Sequence, residues 1–210
     1  MKQPFNLKNV ISLRKKKAIF DDTIFGNPEI HQDSFISSRS AVIGRVIIEK
    51  DVIVAPGCSI RADEGSPFMI CKGTNVQDGV TFHGLHEKFV EVDGKKYSIH
   101  IGSHCSIAHN ALVHGPTKIG KKTFIGPKVE IWASEIGVHC HVGHGASVIG
   151  VKIGNNKFVP NGIIIDSQEA ADQLAAVTPS QQEFNKEVVD YNKSLVVHYK
   201  ERRIIRDGKP

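Results

Sequence analysis

An aliphatic residue returns at every sixth position along most of this chain, and few folds can use that period. From Ile101 it recurs at Ile107, Val113, Ile119, Ile125 and Ile131, then after a shortened step at Ile136, Val142 and Val148, and again at Ile153, Val159 and Ile165. Upstream the spacing runs through Ile36, Val42, Ile48, Val54 and Ile60, breaks, and resumes at Ile70, Val76 and Phe82. Glycine often follows the aliphatic position (Gly102, Gly120, Gly126, Gly137, Gly143, Gly154), and a small residue often stands two before it (Cys58, Cys105, Ala111, Cys140, Ala146). A period of six matches neither an α-helix nor plain strand alternation, so it reads as a short strand plus a turn, the hexapeptide signature of a β-helix. Three such steps make one triangular coil, and successive coils pair at about 4.8 Å. A β-sandwich also has short strands, but it keeps no fixed period.

The rest of the chain is read around this solenoid, taken as residues 28–165. With 210 residues, 40% apolar and 7% aromatic, the chain suits one domain with a narrow core. Residues 1–27 form an N-terminal arm carrying Arg14-Lys15-Lys16-Lys17, a solvated basic run. A formal charge of +5 without interleaved aromatics gives no base-stacking surface, so no nucleic-acid partner is expected. No long apolar stretch follows the basic run, so neither a signal peptide nor a membrane span is expected. The four cysteines lack metal-ligand or disulfide spacing; Cys58, Cys105 and Cys140 share the small inward position and read as packing thiols, which fits a reducing cytoplasm. After Ile165 the pattern turns helical over 166–210: Asp166 or Ser167 caps a short piece through Leu174. A longer helix then starts at Thr178-Pro179 with Phe184, Val188, Tyr191, Leu195 and Tyr199 on one face, to pack along the prism or against a neighbouring subunit.

The register decides which histidines can meet. If Phe82 to Ile101 is one step carrying a thirteen-residue insertion, Phe82 and Val113 lie three steps apart. His83 and His114, each one residue later, then stack on adjacent coils, close enough to bind one tetrahedral ion. A four-residue insertion between Ile60 and Ile70 likewise puts Arg61 below His83. His109 stands two residues after Ile107, on the preceding face, and cannot complete that site within one chain. Three subunits around a threefold axis, each giving His83 and His114 from one face and His109 from another, make three equal sites. A homotrimer with metals at its interfaces is the expected assembly. The remaining histidines, including His31, His100, His104, His139, His141, His144 and His198, read as surface or turn residues.

Around these histidines stand Ser59-Ile60-Arg61-Ala62-Asp63-Glu64-Gly65, Asn75-Val76-Gln77-Asp78-Gly79, His83-Gly84-Leu85, Ser106-Ile107-Ala108-His109 and Val113-His114-Gly115-Pro116. In this order and spacing they resemble the γ-class carbonic anhydrases, and equally the anhydrase-type domain of the carboxysome scaffold protein, from Pro28-Glu29-Ile30 to about Tyr199. The resemblance implies a left-handed β-helix with His83, His109 and His114 as metal ligands, two from one subunit and one from its neighbour. It also implies an intersubunit ion pair between Arg61 and Asp78. Glu64 matches the glutamate that handles the proton near the metal, Gln77 the amide that hydrogen-bonds the bound water or bicarbonate, and Asn192 a helix asparagine lining the pocket.

The implied reaction is reversible hydration of carbon dioxide to bicarbonate by water activated on a divalent ion, Zn2+ with Fe2+ or Co2+ as alternatives. One departure stands out. Where the best-known active type has a glutamate shuttle three residues after the first histidine, this chain has His86 in a shorter loop, His86-Glu87-Lys88-Phe89-Val90-Glu91. Imidazole is itself a competent proton relay. Two other readings stay open: an anhydrase-like assembly module with little or no turnover, and a hexapeptide acyltransferase, which uses one histidine as base and leaves the rest of the constellation superfluous.

Overall fold

A computed structural model describes residues 26–201; Arg14 to Lys17, most of the arm and the stretch beyond Glu201 lie outside the described residues. The strands form three seven-stranded parallel sheets, which wrap one core as the faces of a prism. The first face stacks Glu29–Ile30, Val46–Ile48, Phe68–Ile70, Ile99–Ile101, Thr117–Ile119, Glu135–Ile136 and Lys152–Ile153. The second stacks Phe35–Ile36, Ile53–Val54, Asn75–Val76, Ser106–Ile107, Phe124–Ile125, His141–Val142 and Phe158–Val159. The third stacks Ala41–Gly44, Ser59–Ala62, Thr81–His83, Leu112–His114, Glu130–Trp132, Ser147–Ile149 and Ile164–Ile165. From Ile48 to Ile165 every aliphatic or aromatic residue of the six-residue series points inward and is at most 3% exposed.

The corners have their own chemistry. Three residues before the inward residue, the chain turns through the left-handed region at His104, Asn110, Lys122, Lys128, His139 and Asn156, with φ of 56–58°, or at a glycine such as Gly73 or Gly79. His104 and His139 are therefore corner residues. Buried hydroxyls bracket one corner: Thr74 Oγ1 donates to the Gly102 carbonyl (2.9 Å) and accepts from the Cys105 amide (3.2 Å), and Thr123 repeats this with Gly137 and Cys140. Such bonds satisfy backbone groups that no strand can pair. The inward thiols donate to carbonyls of the next coil, each at 3.1 Å, from Cys58 to Gln77, Cys105 to Gly120 and Cys140 to Gly154. Burial pushes the thiol pKa up, to about 11 at Cys58 and about 12 at Cys105.

Both insertions leave the corner between the third and first faces. The longer carries an antiparallel hairpin, Val90–Val92 with Lys95–Tyr97, around the turn at Asp93-Gly94. Helix α1 (Gln168–Asp172) is capped by the Ser167 side chain and ends two residues before Leu174. It lies on the last coil, where Ala171 is fully buried. Helix α2 (Pro179–Glu201) covers the outside of the second face.

The buried face of α2 differs from the stripe expected from its apolar residues. Asn185, Val189 and Val196 are buried, whereas Phe184 is 45% and Tyr191 68% exposed. The surface beneath explains the shift, because the middle of the covered face is polar and itself buried, at Asn75 and Ser106. Counting apolar positions misses a helix face that is partly asparagine. Phe184 keeps an edge contact with Phe124 (centroids 5.3 Å apart), and Tyr199 packs on Phe35 (5.2 Å).

Candidate metal centre

The paired strands Thr81–His83 and Leu112–His114 put His83 directly opposite His114, and Arg61 opposite His83 on the other side. This is the register read from the sequence. His83 Nδ1 lies 3.3 Å from His114 Nε2. Two nitrogens bound to one tetrahedral ion at the usual imidazole distance are separated by about 3.3 Å.

The opposite nitrogens settle whether the pair suits a cation. His114 Nδ1 is 3.0 Å from the Gly115 carbonyl and can only donate there, which leaves the Nε2 lone pair free. His83 Nε2 faces two carboxylates, Asp63 Oδ1 at 3.7 Å and Glu64 Oε2 at 3.6 Å. A neutral imidazole carries one proton, and beside two carboxylates it belongs on Nε2, leaving a lone pair on Nδ1. Two lone pairs at this spacing repel each other unless a cation sits between them. The donors fit a divalent ion, and carboxylate and carbonyl partners on the far nitrogens are what metal-bound histidines use.

Further contacts hold these rings. Asp63, quoted in the motif but given no role, accepts from Arg61 Nε at 2.9 Å, and its other oxygen is buried with no hydrogen-bond partner. Trp132, beside His114 on the next coil, stacks on its ring with centroids 3.8 Å apart and planes 13° apart. Its place one residue after Ile131 is the same offset as that of His83 and His114, so the register alone could have found it.

His109 sits at the corner between the second and third faces, above Asp78, whose carboxylate lies 3.3 Å from His109 Nδ1. Both are more than half exposed. Among the described residues no three His, Cys, Asp or Glu side chains in one protomer come together around an ion. The chain thus carries a histidine pair and a separate single histidine at opposite ends of the third face. Within the protomer Arg61 pairs with Asp63 and Asp78 faces His109, so no Arg61 to Asp78 contact forms inside one chain.

Gln77 lies at the end that carries the single histidine. Its amide nitrogen donates to Asn75 Oδ1 (3.0 Å), and Asn75 donates to Ser106 Oγ (2.9 Å). The amide is thereby anchored through nitrogen, and its oxygen is the atom left to meet a ligand. Asn75 was not singled out from the sequence; its spacing two residues before Gln77 along a strand was the available signal. Asn192 donates to the Val188 carbonyl of its own helix (2.9 Å) and makes no hydrogen bond to Gln77 or the histidines. Glu64 and His86 stand on opposite insertions and share the rim of a cleft of about 290 Å3 that also touches Arg45 and Phe89.

No family model matches this chain. It is 38% identical to a carbonic anhydrase of Methanosarcina thermophila over 186 residues, covering 83% of this chain and 75% of that protein. The chain belongs to the γ-class carbonic anhydrase family. It is also 42% identical, over 81% of its length, to the carboxysome assembly protein CcmM of Nostoc sp., but the match spans only 31% of that relative. Among solved structures, a hexapeptide transferase family protein from Anaplasma phagocytophilum superposes with a TM-score of 0.69 at 18% identity, covering 83% of this chain and 93% of that one. A structure described as an acetyltransferase of Bacillus cereus gives 0.70 at 22% identity, covering 84% of this chain and 93% of that one. At such identities they show the fold alone, the left-handed hexapeptide β-helix.

Proposed function

We propose that the protein catalyses the reversible hydration of carbon dioxide to bicarbonate and a proton, at metal sites shared between the subunits of a homotrimer. The observation that carries this reading is the pair of imidazole nitrogens 3.3 Å apart, with the opposite ring nitrogens turned toward Asp63, Glu64 and the Gly115 carbonyl. His83 and His114 of one subunit and His109 of the next would hold the ion; zinc fits three imidazoles, and iron or cobalt is compatible with the same donors. When bound, such an ion supplies the charge that makes water acidic enough to act as a nucleophile near neutral pH.

The chain's own residues perform the remaining work. Gln77, anchored by Asn75, presents its amide oxygen to a hydroxyl hydrogen and so orients the attacking water. Trp132 and Ile149, half-exposed next to His114 on successive coils, form an apolar wall suited to carbon dioxide. Glu64 takes the proton released in each turnover, and His86 across the cleft passes it to solvent. Arg61 and Asp78, each about half exposed on the edges that carry the two half-sites, would pair across the subunit boundary. Asn192 would line the pocket from α2 once its amide turns from the Val188 carbonyl. No described helix is long and apolar enough to cross a membrane, and the four free thiols are compatible with a reducing compartment such as the cytoplasm.

A second reading has its own support: the match to a carboxysome assembly protein, together with His86 where the active type carries a glutamate, favours an assembly module that binds metal without rapid turnover. Stopped-flow carbon dioxide hydration, on protein purified without oxygen and loaded with Zn2+ or Fe2+, separates the two. Metal-dependent turnover that His109→Ala abolishes supports the enzyme; stoichiometric metal without turnover supports the assembly module.

A further inference from the structure

The stack of Trp132 on His114 is not explained by the repeat. Its register partners outward along the third face are His83, His114 and Ile149, and a side chain of tryptophan's size is not required there to cover the core, which Ile131 already fills from the inward side. We infer that Trp132 is a positioning residue for the metal centre: its indole fixes the plane of the His114 imidazole so that Nε2 meets His83 Nδ1 at the spacing a shared ion requires. This rests on the metal reading above.

Two freedoms of the His114 side chain have to be removed to aim one nitrogen. The hydrogen bond from Nδ1 to the Gly115 carbonyl decides which nitrogen faces His83, but a single bond of 3.0 Å leaves the ring able to tilt about it. A parallel neighbour at 3.8 Å and 13° removes the tilt, because any rocking drives one ring edge into the indole. The backbone that carries the indole is itself fixed: the Trp132 carbonyl accepts from Gly150 N (2.9 Å) and from Ser134 Oγ (2.8 Å). Among the described residues no ring stacks face to face on His83; its far nitrogen faces two carboxylates instead. The two ligands of one protomer are thus aimed by different means, charge for His83 and stacking for His114.

This chain has a single tryptophan, so the proposal has a direct spectroscopic readout. The metal-free full-length protein is titrated with Co2+, following the visible d–d absorption of the ion and the tryptophan fluorescence in the same cuvette. In the wild type both signals should move with one midpoint, since an ion bound at His114 Nε2 lies within quenching range of the stacked indole. Trp132→Phe retains a flat ring and should bind Co2+ within about twofold of wild type, whereas Trp132→Leu fills the site without a stack and should bind roughly tenfold more weakly, the range typical of lost support around a metal ligand. Retained far-ultraviolet circular dichroism in both variants keeps the comparison on metal affinity rather than folding. The positioning role is overturned if Trp132→Leu binds as tightly as wild type, or if the visible band saturates while the fluorescence stays unchanged. Absence of any Co2+ band from the wild type overturns the metal reading itself, so the two failures are distinguishable.

Discussion

At the residue scale, the centre depends on close approach. Gly84 follows His83 and Gly115 follows His114, and both face the buried Ser98. A Cβ on Gly84 would sit 2.5 Å from Ser98 Oγ and 2.6 Å from the Gly65 carbonyl oxygen. Gly84→Ala should therefore cost about 2 kcal/mol of stability and displace His83, seen as a lower Tm together with weakened metal binding. Legibility at this scale followed position in the repeat. The pairing of His83 with His114 and the place of Arg61 below His83 both follow from counting, because a strand ladder converts sequence offset into contact. Asp63 and Asn75 were not legible as functional groups, since their roles depend on side-chain rotamers that a period cannot encode.

Elements tell a different story. The strands and corners follow the sixfold pattern so closely that both insertions were placed correctly, whereas the face of α2 was displaced. Its packing surface matches a sheet exterior containing Asn75 and Ser106, so the buried helix positions include Asn185, and polar residues carry no weight in an apolar count. Substitution separates the two stripes. Tyr191→Ala, at a position 68% exposed, should change stability by no more than about 0.5 kcal/mol. Val196→Ala, at a buried position, should cost about 1–3 kcal/mol. Equal Tm values for the two variants would return α2 to the face counted from its sequence. The Thr74 and Thr123 corner brackets also went unread, because one hydroxyl per coil is a weak signal beside the aliphatic series.

For the whole molecule, partly or fully buried titratable groups set the pH range in which the prism is stable. Burial holds His100, His104, His139 and His141 below the ordinary histidine value of 6.5. The unfolded chain therefore binds more protons, and stability falls as pH drops below about 6.5. Burial raises the thiols above their ordinary 9.0, to about 11 at Cys58 and about 12 at Cys71 and Cys105. The folded chain then keeps protons that the unfolded chain loses, and stability falls as pH rises above 9.0. Denaturant midpoints across pH 5–10 should trace a plateau between these limits. His141→Phe, which keeps an aromatic ring between Phe124 and Phe158, should flatten the acid side; an unchanged acid limb would remove His141 from this account.

The proposed trimer, in which the histidine pair of one subunit meets His109 of the next, offers the most direct test. His109→Ala subunits retain His83 and His114, whereas the double variant His83→Ala/His114→Ala retains His109. Each should be inactive alone. Co-expressed in equal amounts and mixed at random into trimers, they should regain about one quarter of wild-type, metal-dependent carbon dioxide hydration, because one boundary in four then joins complementary halves. Recovery near that level is the result expected of a catalytic site built from two subunits. A mixture as inactive as its parents, beside an active wild type, would contradict it.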